Sequence, residues 1–355
     1  MELAQVEPLA GDRVQSTQLR KYLWAFLWTV FSSLVTVVWP LVQGRSPWLA
    51  WNFSVLGITV GMISLSVSRF FDVRHPFAAP ELVLLVFSMA QRFSFPVFLP
   101  GGTTRAADEF LFCFDIKMFG QNCDVILAKL FNLCPALGLV CGAFYCALPA
   151  VVVFVYLALP NSRQVRQRYC ALIALTAVVL FAMYSICPGA GPKFLFRADF
   201  PYKVPAQIVP HLRFIPGAVL NATPSGHIAW ALLLLWAARR HCGKYCQYNC
   251  VVFLIFTILS TMGLGEHYVI DLIAGVPFAA GMWVLMDRRW QEAICAFLLV
   301  AAWSVALRSG WALQLPREAA WLACAATVAF PFYLRPISPV AAARESVGFA
   351  AGSGG

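Results

Sequence analysis

The chain has 355 residues, of which 61% are hydrophobic and only 12% are charged. Soluble domains carry about 25% charged residues, so this composition excludes an ordinary soluble protein as well as a disordered or collagen-like one. A net charge of +10 can indicate nucleic-acid binding, but here the Lys and Arg residues lie between apolar runs, as in membrane proteins, and no nucleic-acid partner is expected.

Ten apolar runs follow one another along the chain, and a membrane-spanning helix needs about 20 such residues. The run 22–42 is too long for a signal peptide and is predicted to remain as an anchor. The segment 101–135 is amphipathic and is predicted to be interfacial or re-entrant. The other runs lie near 49–68, 77–100, 136–159, 169–188, 225–240, 248–265, 267–286, 290–308 and 318–335. The predicted fold is all-α, a polytopic transmembrane helix bundle of about ten spans.

The runs form one membrane domain, because no repeat and no composition shift marks a second one. The predicted division is a cytoplasmic segment 1–21, two extra helices in 22–76, a six-helix core in 77–286, two further helices in 287–335, and a mobile cytoplasmic tail, 336–355. The third run is the least regular, since charged residues and prolines interrupt it. Arg92 in this run either reaches the functional site or ends a short helix at the interface.

The distribution of basic residues predicts the orientation. With the N-terminus inside and ten spans, fifteen of the 26 Lys and Arg residues fall on the cytoplasmic side. Both termini are therefore predicted to be cytoplasmic. The loop 189–224 and the turn at 265–267 then lie on the outer face. We expect a multi-pass protein of a bacterial inner membrane with its site facing the periplasm or the outside.

The twelve cysteines show no CxxC pair and no metal-ligand spacing, and most are predicted to be packing residues. Cys113 and Cys123 are the one pair that could form a disulfide in an outer loop. No metal site and no cofactor are predicted.

Two of the five histidines stand at the start of apolar helices on the predicted outer face. His227 ends the stretch Ala-Thr-Pro-Ser-Gly-His, in which Thr223 is a plausible N-cap and Pro224 suits the first helical turn. Ser225 and Gly226 would then offer backbone N–H groups at a helix N-terminus, which is a ready anion site.

The second histidine, His267, is followed four positions later by Asp271, so the two are expected to share a helix face. A carboxylate beside an imidazole fixes its tautomer and stabilises the cation that forms during nucleophilic attack. The loop 189–224 adds Lys193 and Arg197, and less favourably Lys203 and Arg213, which could hold a phosphate.

Each feature also has a purely structural interpretation. His227 could be an interfacial histidine, the pair His267 and Asp271 could join two helices, and the basic loop could contact lipid headgroups. The features together at one face favour a catalytic site.

The stretch Pro224 to His227, together with His267 and Asp271, resembles the second and third signatures of the type-2 phosphatidic acid phosphatase superfamily. The resemblance covers about residues 77 to 286. The sequence Glu-His-Tyr-Val-Ile-Asp-Leu-Ile-Ala-Gly at 266–275 looks most like the inositol phosphorylceramide synthase branch, whose members transfer phospho-headgroups to alcohols.

The resemblance implies a mechanism without a metal. His267 would be the nucleophile that takes the phosphoryl group, Asp271 would orient it, and His227 would protonate the leaving alcohol. The substrate would be a lipid phosphate or a phospholipid, and an alcohol such as inositol is a possible acceptor.

Two departures accompany the resemblance. The Arg that follows Ser in the superfamily's third signature is replaced by Thr261 here, and the first signature, a Lys followed by Arg-Pro, is absent. Lys193 and Arg197 are therefore the remaining phosphate-binding candidates, together with Ser225 and Gly226. The alternative is a non-catalytic transporter or lipid-binding scaffold on the same bundle.

Overall fold

The computed structural model describes residues 104–160, 162–216 and 218–334, and this part of the chain is helical without a strand. A single antiparallel bridge joins Ala106 and Arg213. The first three apolar runs, the segment 1–21, Arg92 and the tail 336–355 lie outside the described residues, so those predictions stay predictions.

The described residues form eleven α-helices and two 3-10 turns. The helices are α1 (Asp108–Phe119), α2 (Cys123–Leu133), α3 (Pro135–Cys146), α4 (Leu148–Ala158), α5 (Arg163–Tyr184), α6 (Pro192–Phe196), α7 (Gly226–His241), α8 (Lys244–Gly263), α9 (Val269–Met286), α10 (Trp290–Arg308) and α11 (Arg317–Tyr333), and the turns are Arg197–Asp199 and Trp311–Gln314.

The all-helical, multi-pass character of the fold is confirmed, but ten spans are not. Among the described residues, four helices are long and apolar enough to cross a membrane, namely α5, α8, α9 and α10, and the bent pair α2–α3 would be a fifth. α7 and α11 have 16 and 17 residues. At 1.5 Å per residue they reach only about 24–26 Å, less than a hydrocarbon core of about 30 Å.

The run 136–159, predicted as one span, forms two helices instead. α3 ends at Cys146, and α4 begins at Leu148 with Pro149 in its first turn. A proline fits the first turn of a helix but not its interior, so the chain starts a new helix there. α3 also pairs with α2 at an angle of 119°, which is the geometry of a broken span or a re-entrant loop.

α7 and α9 form the centre of the bundle. α7 packs against α4, α5, α8 and α9, and α9 packs in addition against α1, α10 and α11. Trp230 of α7 and Phe278 of α9 are fully buried in the core between them. At Gly275 the two helices approach so closely that a Cβ atom would lie 3.0 Å from the backbone oxygen of Ser225. Small residues at such crossings are typical of membrane helix packing.

A second core surrounds α1 and covers the loop between α5 and α7. Leu111 and Phe114 of α1 are fully buried there, next to Tyr268 and Trp303. The rings of Phe114 and Trp303 meet edge to face at 5.7 Å. Cys113, which precedes Phe114, and Cys123 are both free thiols, so the disulfide that the sequence allowed does not form.

The ends of the bundle differ in charge. Arg168 of α5 and Arg240 of α7 both pair with Asp287 at the C-terminal end of α9. The helix starts at Gly226 and Val269 lie at the opposite ends of α7 and α9. The two histidines are thus separated from the basic end by the length of the helices.

The close crossing at Gly275 gives a stability prediction. Gly275→Ala is expected to push the start of α7 away from α9 and to destabilise the fold by about 1–3 kcal/mol, which is typical of overpacking. The thermal midpoint of the full-length protein in detergent measures this effect. Gly142→Ala in α3 is the matched control, because a Cβ atom there meets nothing within 4 Å. The control should gain helix propensity, and a Gly275→Ala midpoint at or above that of the wild type would contradict the prediction.

Candidate active site

The start of α7 differs in detail from the prediction. Ser225, not Thr223, is the N-cap, and its hydroxyl accepts a hydrogen bond from the N–H of Ile228 at 3.5 Å. The N–H of Ser225 donates to the carbonyl oxygen of Asp271 at 2.9 Å. The N–H of Ser225 is thus engaged within the protein, and a contact between Ser225 and a phosphate stays a prediction. Gly226 is the first residue of the helix, so its N–H has no partner within α7.

His227 lies in the first turn of α7 and is only 3% exposed. Its ring stacks on that of Tyr145 in α3, with the centroids 4.0 Å apart and the planes at 25°. The ring of His267 lies on another side, with its centroid 6.2 Å away and its plane at 71°. The structure thus brings the two histidines together in one buried site.

His267 precedes α9 and is held by the loop before α7. Its Nδ1 lies 3.0 Å from the carbonyl oxygen of Ala222 and 3.6 Å from a carboxylate oxygen of Asp271. Because a carbonyl oxygen can only accept, Nδ1 carries the proton in the neutral ring. Nε2 is left with the lone pair, which is what a nucleophilic imidazole requires.

Asp271 is near His267 for a different reason than the predicted one. α9 begins at Val269, so the two residues do not share a helix face. Instead, Asp271 closes a capping box by accepting the N–H of Tyr268 at 2.8 Å, and its other oxygen accepts the hydroxyl of Thr223. At 3.6 Å the carboxylate is too far from the ring for a hydrogen bond and acts on it mainly through charge.

The two basic candidates take different positions. The backbone N–H of Lys193 bonds to the carbonyl oxygen of Gly265 at 3.0 Å, and its amine lies 3.2 Å from the carboxylate of Glu266. Lys193 thus contacts the turn that leads into His267, with half of its side chain exposed. Arg197 is exposed and donates to the carbonyl oxygen of Pro216 at 3.1 Å. Its described hydrogen bond therefore joins it to the loop rather than to the histidines.

The position that carries Arg in the resembling signature is occupied by a buried threonine. The hydroxyl of Thr261 donates within α8 to the carbonyl of Thr257 at 2.8 Å. Its backbone carbonyl accepts the N–H groups of Glu266 and His267 at 3.1 and 3.2 Å. Thr261 thus shapes the turn that carries His267 and adds no positive charge.

Sequence reasoning missed two acidic residues of α1 that border the site. Asp108 accepts the N–H of Gly191 at 2.7 Å and the hydroxyl of Tyr268 at 3.0 Å. Asp115 accepts the N–H of Val269, the first residue of α9, at 2.6 Å. Both are fully buried. Their spacing of seven residues, which places two acidic side chains on one face of a largely apolar helix, is the signal that could have revealed them.

Burial dominates the electrostatics of these two carboxyl groups. It raises the pKa of Asp108 to about 7, although the N–H groups of Ala190 and Gly191 and the hydroxyl of Tyr268 oppose the shift. Burial likewise raises the pKa of Asp115 above its usual value. Among the described residues, no group of three or more His, Cys, Asp or Glu side chains is arranged to hold a metal ion.

Comparison with known proteins gives one match. The family described as the PAP2 superfamily matches residues 116–285, just under half of the chain. The match includes His227, His267 and Asp271, whereas Asp108 and Asp115 precede it. No curated protein and no solved structure matches the chain. Together with the apolar helices, this similarity points to a membrane phosphatase-type function.

The contact between His267 and Ala222 predicts a specific tautomer. In protein labelled with ¹⁵N-histidine, Nδ1 of neutral His267 is expected to carry the proton and Nε2 to have the shift of an unprotonated nitrogen. Solid-state NMR of the protein in lipid measures both shifts. The spectrum of His267→Asn identifies the signal, since the chain has only five histidines. A proton on Nε2 would contradict the orientation described here.

Proposed function

We propose that this protein is an integral membrane enzyme that transfers or hydrolyses a phosphate group on a lipid, at the outer leaflet, through a phosphohistidine intermediate. His267 is the nucleophile, His227 is the general acid and base, and Asp271 stabilises the charged ring of His267. No metal is needed for the reaction. The observation that carries this proposal is the pair of buried imidazoles, 6.2 Å apart between centroids, at the starts of two helices.

The spacing of the two rings suits a single phosphoryl group. A nucleophile reacts from about 3–3.5 Å, and a general acid bonds the leaving oxygen at about 2.6–3.2 Å. The two rings, with centroids 6.2 Å apart, are close enough for one phosphoryl group to contact both. A phosphate between them is then within reach of the nucleophile on one side and of the acid on the other.

In the first step, the lone pair of Nε2 of His267 attacks phosphorus. The bond from phosphorus to the lipid oxygen breaks, and protonated His227 gives its proton to that oxygen, so a neutral alcohol leaves. The proton on Nδ1 of His267 stays hydrogen-bonded to the carbonyl of Ala222. The ring becomes positively charged when Nε2 is phosphorylated, and the nearby carboxylate of Asp271 stabilises that charge.

In the second step, water or an acceptor alcohol attacks the phosphohistidine. His227 takes the proton of the attacking hydroxyl, the bond from phosphorus to nitrogen breaks, and Nε2 regains its lone pair. His227 is then protonated again, and the cycle closes without net proton uptake by the two histidines. Hydrolysis and headgroup transfer differ only in the molecule that supplies this hydroxyl.

Helix α7 is better suited than α9 to stabilise the phosphate. Asp115 and Asp271 place two carboxylates at the N-terminal end of α9 and accept its first N–H groups. The positive end of α9 is thus already compensated. The side-chain cap of α7 is the neutral hydroxyl of Ser225, so its positive end and the N–H of Gly226 favour an anion. Lys193 at the rim adds a positive charge.

The position of the site favours a lipid substrate at the outer leaflet. The histidines lie at helix starts, and the basic residues Arg168 and Arg240 lie at the opposite end of the bundle. Since basic ends face the cytoplasm, the site would face outward, toward the periplasm in a bacterial inner membrane. A phosphorylated headgroup would then reach the histidines while its chains stay in the bilayer. Members of the PAP2 superfamily act on phosphorylated lipids, which agrees.

Burial of the site favours transfer to an alcohol as the second candidate activity. Both rings are only 3% exposed, so water has limited access to the phosphohistidine. Transfer to inositol or a sphingoid alcohol would fit the resemblance of residues 266–275 to the inositol phosphorylceramide synthase branch. An alcohol added in increasing amounts separates the two activities, because a transferase forms the alcohol product at the expense of free phosphate.

The test uses purified full-length protein in detergent with EDTA and a panel of lipid phosphates. The wild type is expected to release phosphate, and His267→Ala to lose about 1000-fold or more, because the nucleophile is gone. His227→Ala should lose about 100- to 10,000-fold, since only proton transfer is removed. An activated leaving group that needs no proton should restore much of the first-step rate in His227→Ala but none in His267→Ala.

His241→Ala is the matched control, because His241 ends the same helix that His227 begins. Its activity should equal that of the wild type. Release by His267→Ala at the wild-type rate would contradict the proposed nucleophile, and inhibition by EDTA would contradict metal independence. If the wild type neither releases phosphate nor transfers a labelled headgroup to any alcohol tested, the non-catalytic interpretation replaces this one.

A further inference from the structure

Helix α1 carries three buried acidic residues that lie outside the stretch similar to the PAP2 superfamily. Asp108 and Asp115 are 0% exposed and Glu109 is 5% exposed. A buried carboxylate is costly unless hydrogen bonds compensate it, so such groups persist where they hold something in place. Each of the three accepts hydrogen bonds from a different segment on the site side of the bundle.

Asp108 is connected to His267 by two routes. It accepts the N–H groups of Ala190 and Gly191 at 3.0 and 2.7 Å. The preceding carbonyl, that of Gly189, accepts the N–H of Ala222 at 2.8 Å, and the carbonyl of Ala222 is the one that holds Nδ1 of His267. By the second route, Asp108 accepts the hydroxyl of Tyr268, the residue next to His267, at 3.0 Å.

The segment at Gly191, which Asp108 holds, also packs closely against the turn that precedes His267. Gly191 has a φ of +96°, and a Cβ atom there would lie 2.4 Å from the backbone oxygen of Glu266. No side chain fits at that distance, so the segment and the turn before His267 are in direct backbone contact. A shift of the segment held by Asp108 therefore moves the turn that carries His267.

Asp115 holds the other side of the site. It accepts the N–H groups of Val269 and Ile270 at 2.6 and 3.3 Å, at the start of α9. The next residue is Asp271, which supports His267 and binds the start of α7. Asp108 thus holds the loop at Ala190 and Gly191 and the side chain of Tyr268, and Asp115 holds the start of α9 that follows the nucleophile.

We propose that Asp108 and Asp115 are positioning residues of the phosphoryl-transfer site, which set the orientation of His267 through Ala222, Tyr268 and the start of α9. Neither touches the substrate. This inference rests on the proposed function for its kinetic consequences, but the orientation of the ring can be measured without any turnover.

The first test is Asp108→Asn in the full-length protein. The N–H groups of Ala190 and Gly191 and the hydroxyl of Tyr268 all meet one oxygen of Asp108, and the N–H of Ala190 also meets the other. Asparagine keeps the first oxygen but loses the charge and turns an N–H₂ group toward the N–H of Ala190, so these bonds weaken and the segment at Ala190 is displaced. A ring displaced by a fraction of an ångström lowers the rate of phosphohistidine formation by about 10- to 100-fold. KM should stay within about threefold, because contacts with the lipid are unchanged.

Glu109→Gln is the matched control. Glu109 lies on the same helix and is buried, but it accepts the N–H of His211 and a guanidinium N–H of Arg213, away from the histidine pair. The same change of an acid to its amide should leave kcat within about twofold. If both variants lose kcat in proportion to their loss of thermal stability, α1 acts only on the fold and the proposal is overturned.

Tyr268→Phe keeps the proposal testable if Asp108→Asn does not fold. It removes one hydroxyl and should lower kcat by about three- to tenfold. Where both fold, the double variant should lose less kcat than the two single losses combined, because both variants weaken the contact between Asp108 and Tyr268. Fully additive losses, or wild-type kcat in Asp108→Asn, would overturn the proposal.

The ¹⁵N signal of Nδ1 in His267 separates this inference from the proposed function. Asp108→Asn should shift that signal, and Glu109→Gln should not. This result is expected even if no lipid phosphate turns over, in which case only the proposed function fails. If the wild type is active but the His267 signal of Asp108→Asn is not shifted, the positioning role alone is overturned.

Discussion

The contact between the starts of α7 and α9 is the constraint on which the site depends, and Asp271 makes it. Its backbone carbonyl accepts the N–H of Ser225, and its carboxylate accepts the hydroxyl of Thr223 and the N–H of Tyr268. Asp271 is fully buried, so each lost partner would leave a polar group unsatisfied at a cost of about 1–3 kcal/mol. The contact is also close at Gly275, where a Cβ atom would lie 3.0 Å from the backbone oxygen of Ser225. As a result, His227 of α7 and His267, which precedes α9, lie in one site.

The same hydrogen bonds meet a general requirement of membrane proteins. Irregular backbone near the bilayer must find its partners within the protein, because lipid offers none. The loop before α7 and the turn before α9 satisfy this requirement in part with the carboxylates of Asp108, Asp115 and Asp271. In our account, the groups that make the irregular backbone possible also orient His267. Stability and chemistry then depend on the same few contacts, and variants that separate them are the informative ones.

Much of the local pattern could be predicted from the sequence, and the failures have physical causes. His227 and His267 stand where apolar runs begin, which predicted that both lie at one face of the bundle, and the structure brings them together. The predicted N-cap was wrong where a tertiary contact competes with the local pattern. The hydroxyl of Thr223 bonds to Asp271, and Ser225 caps α7 instead. The break before Pro149 was missed although a proline inside an apolar run marks a place where a new helix can begin. Asp108 and Asp115 were missed because most of their partners are backbone N–H groups, so only their own spacing in the sequence pointed to them.

The central claim is that the lone pair of His267 takes the phosphoryl group, and the most direct test is to trap the intermediate. Full-length protein in lipid is mixed with a ³²P-labelled lipid phosphate, quenched in denaturing alkali within milliseconds to seconds, digested and mapped by mass spectrometry. The account predicts label on the peptide that contains His267, no label in His267→Ala, and unchanged labelling in His241→Ala. Turnover that proceeds with label on another residue, or with none at any quench time, would contradict it.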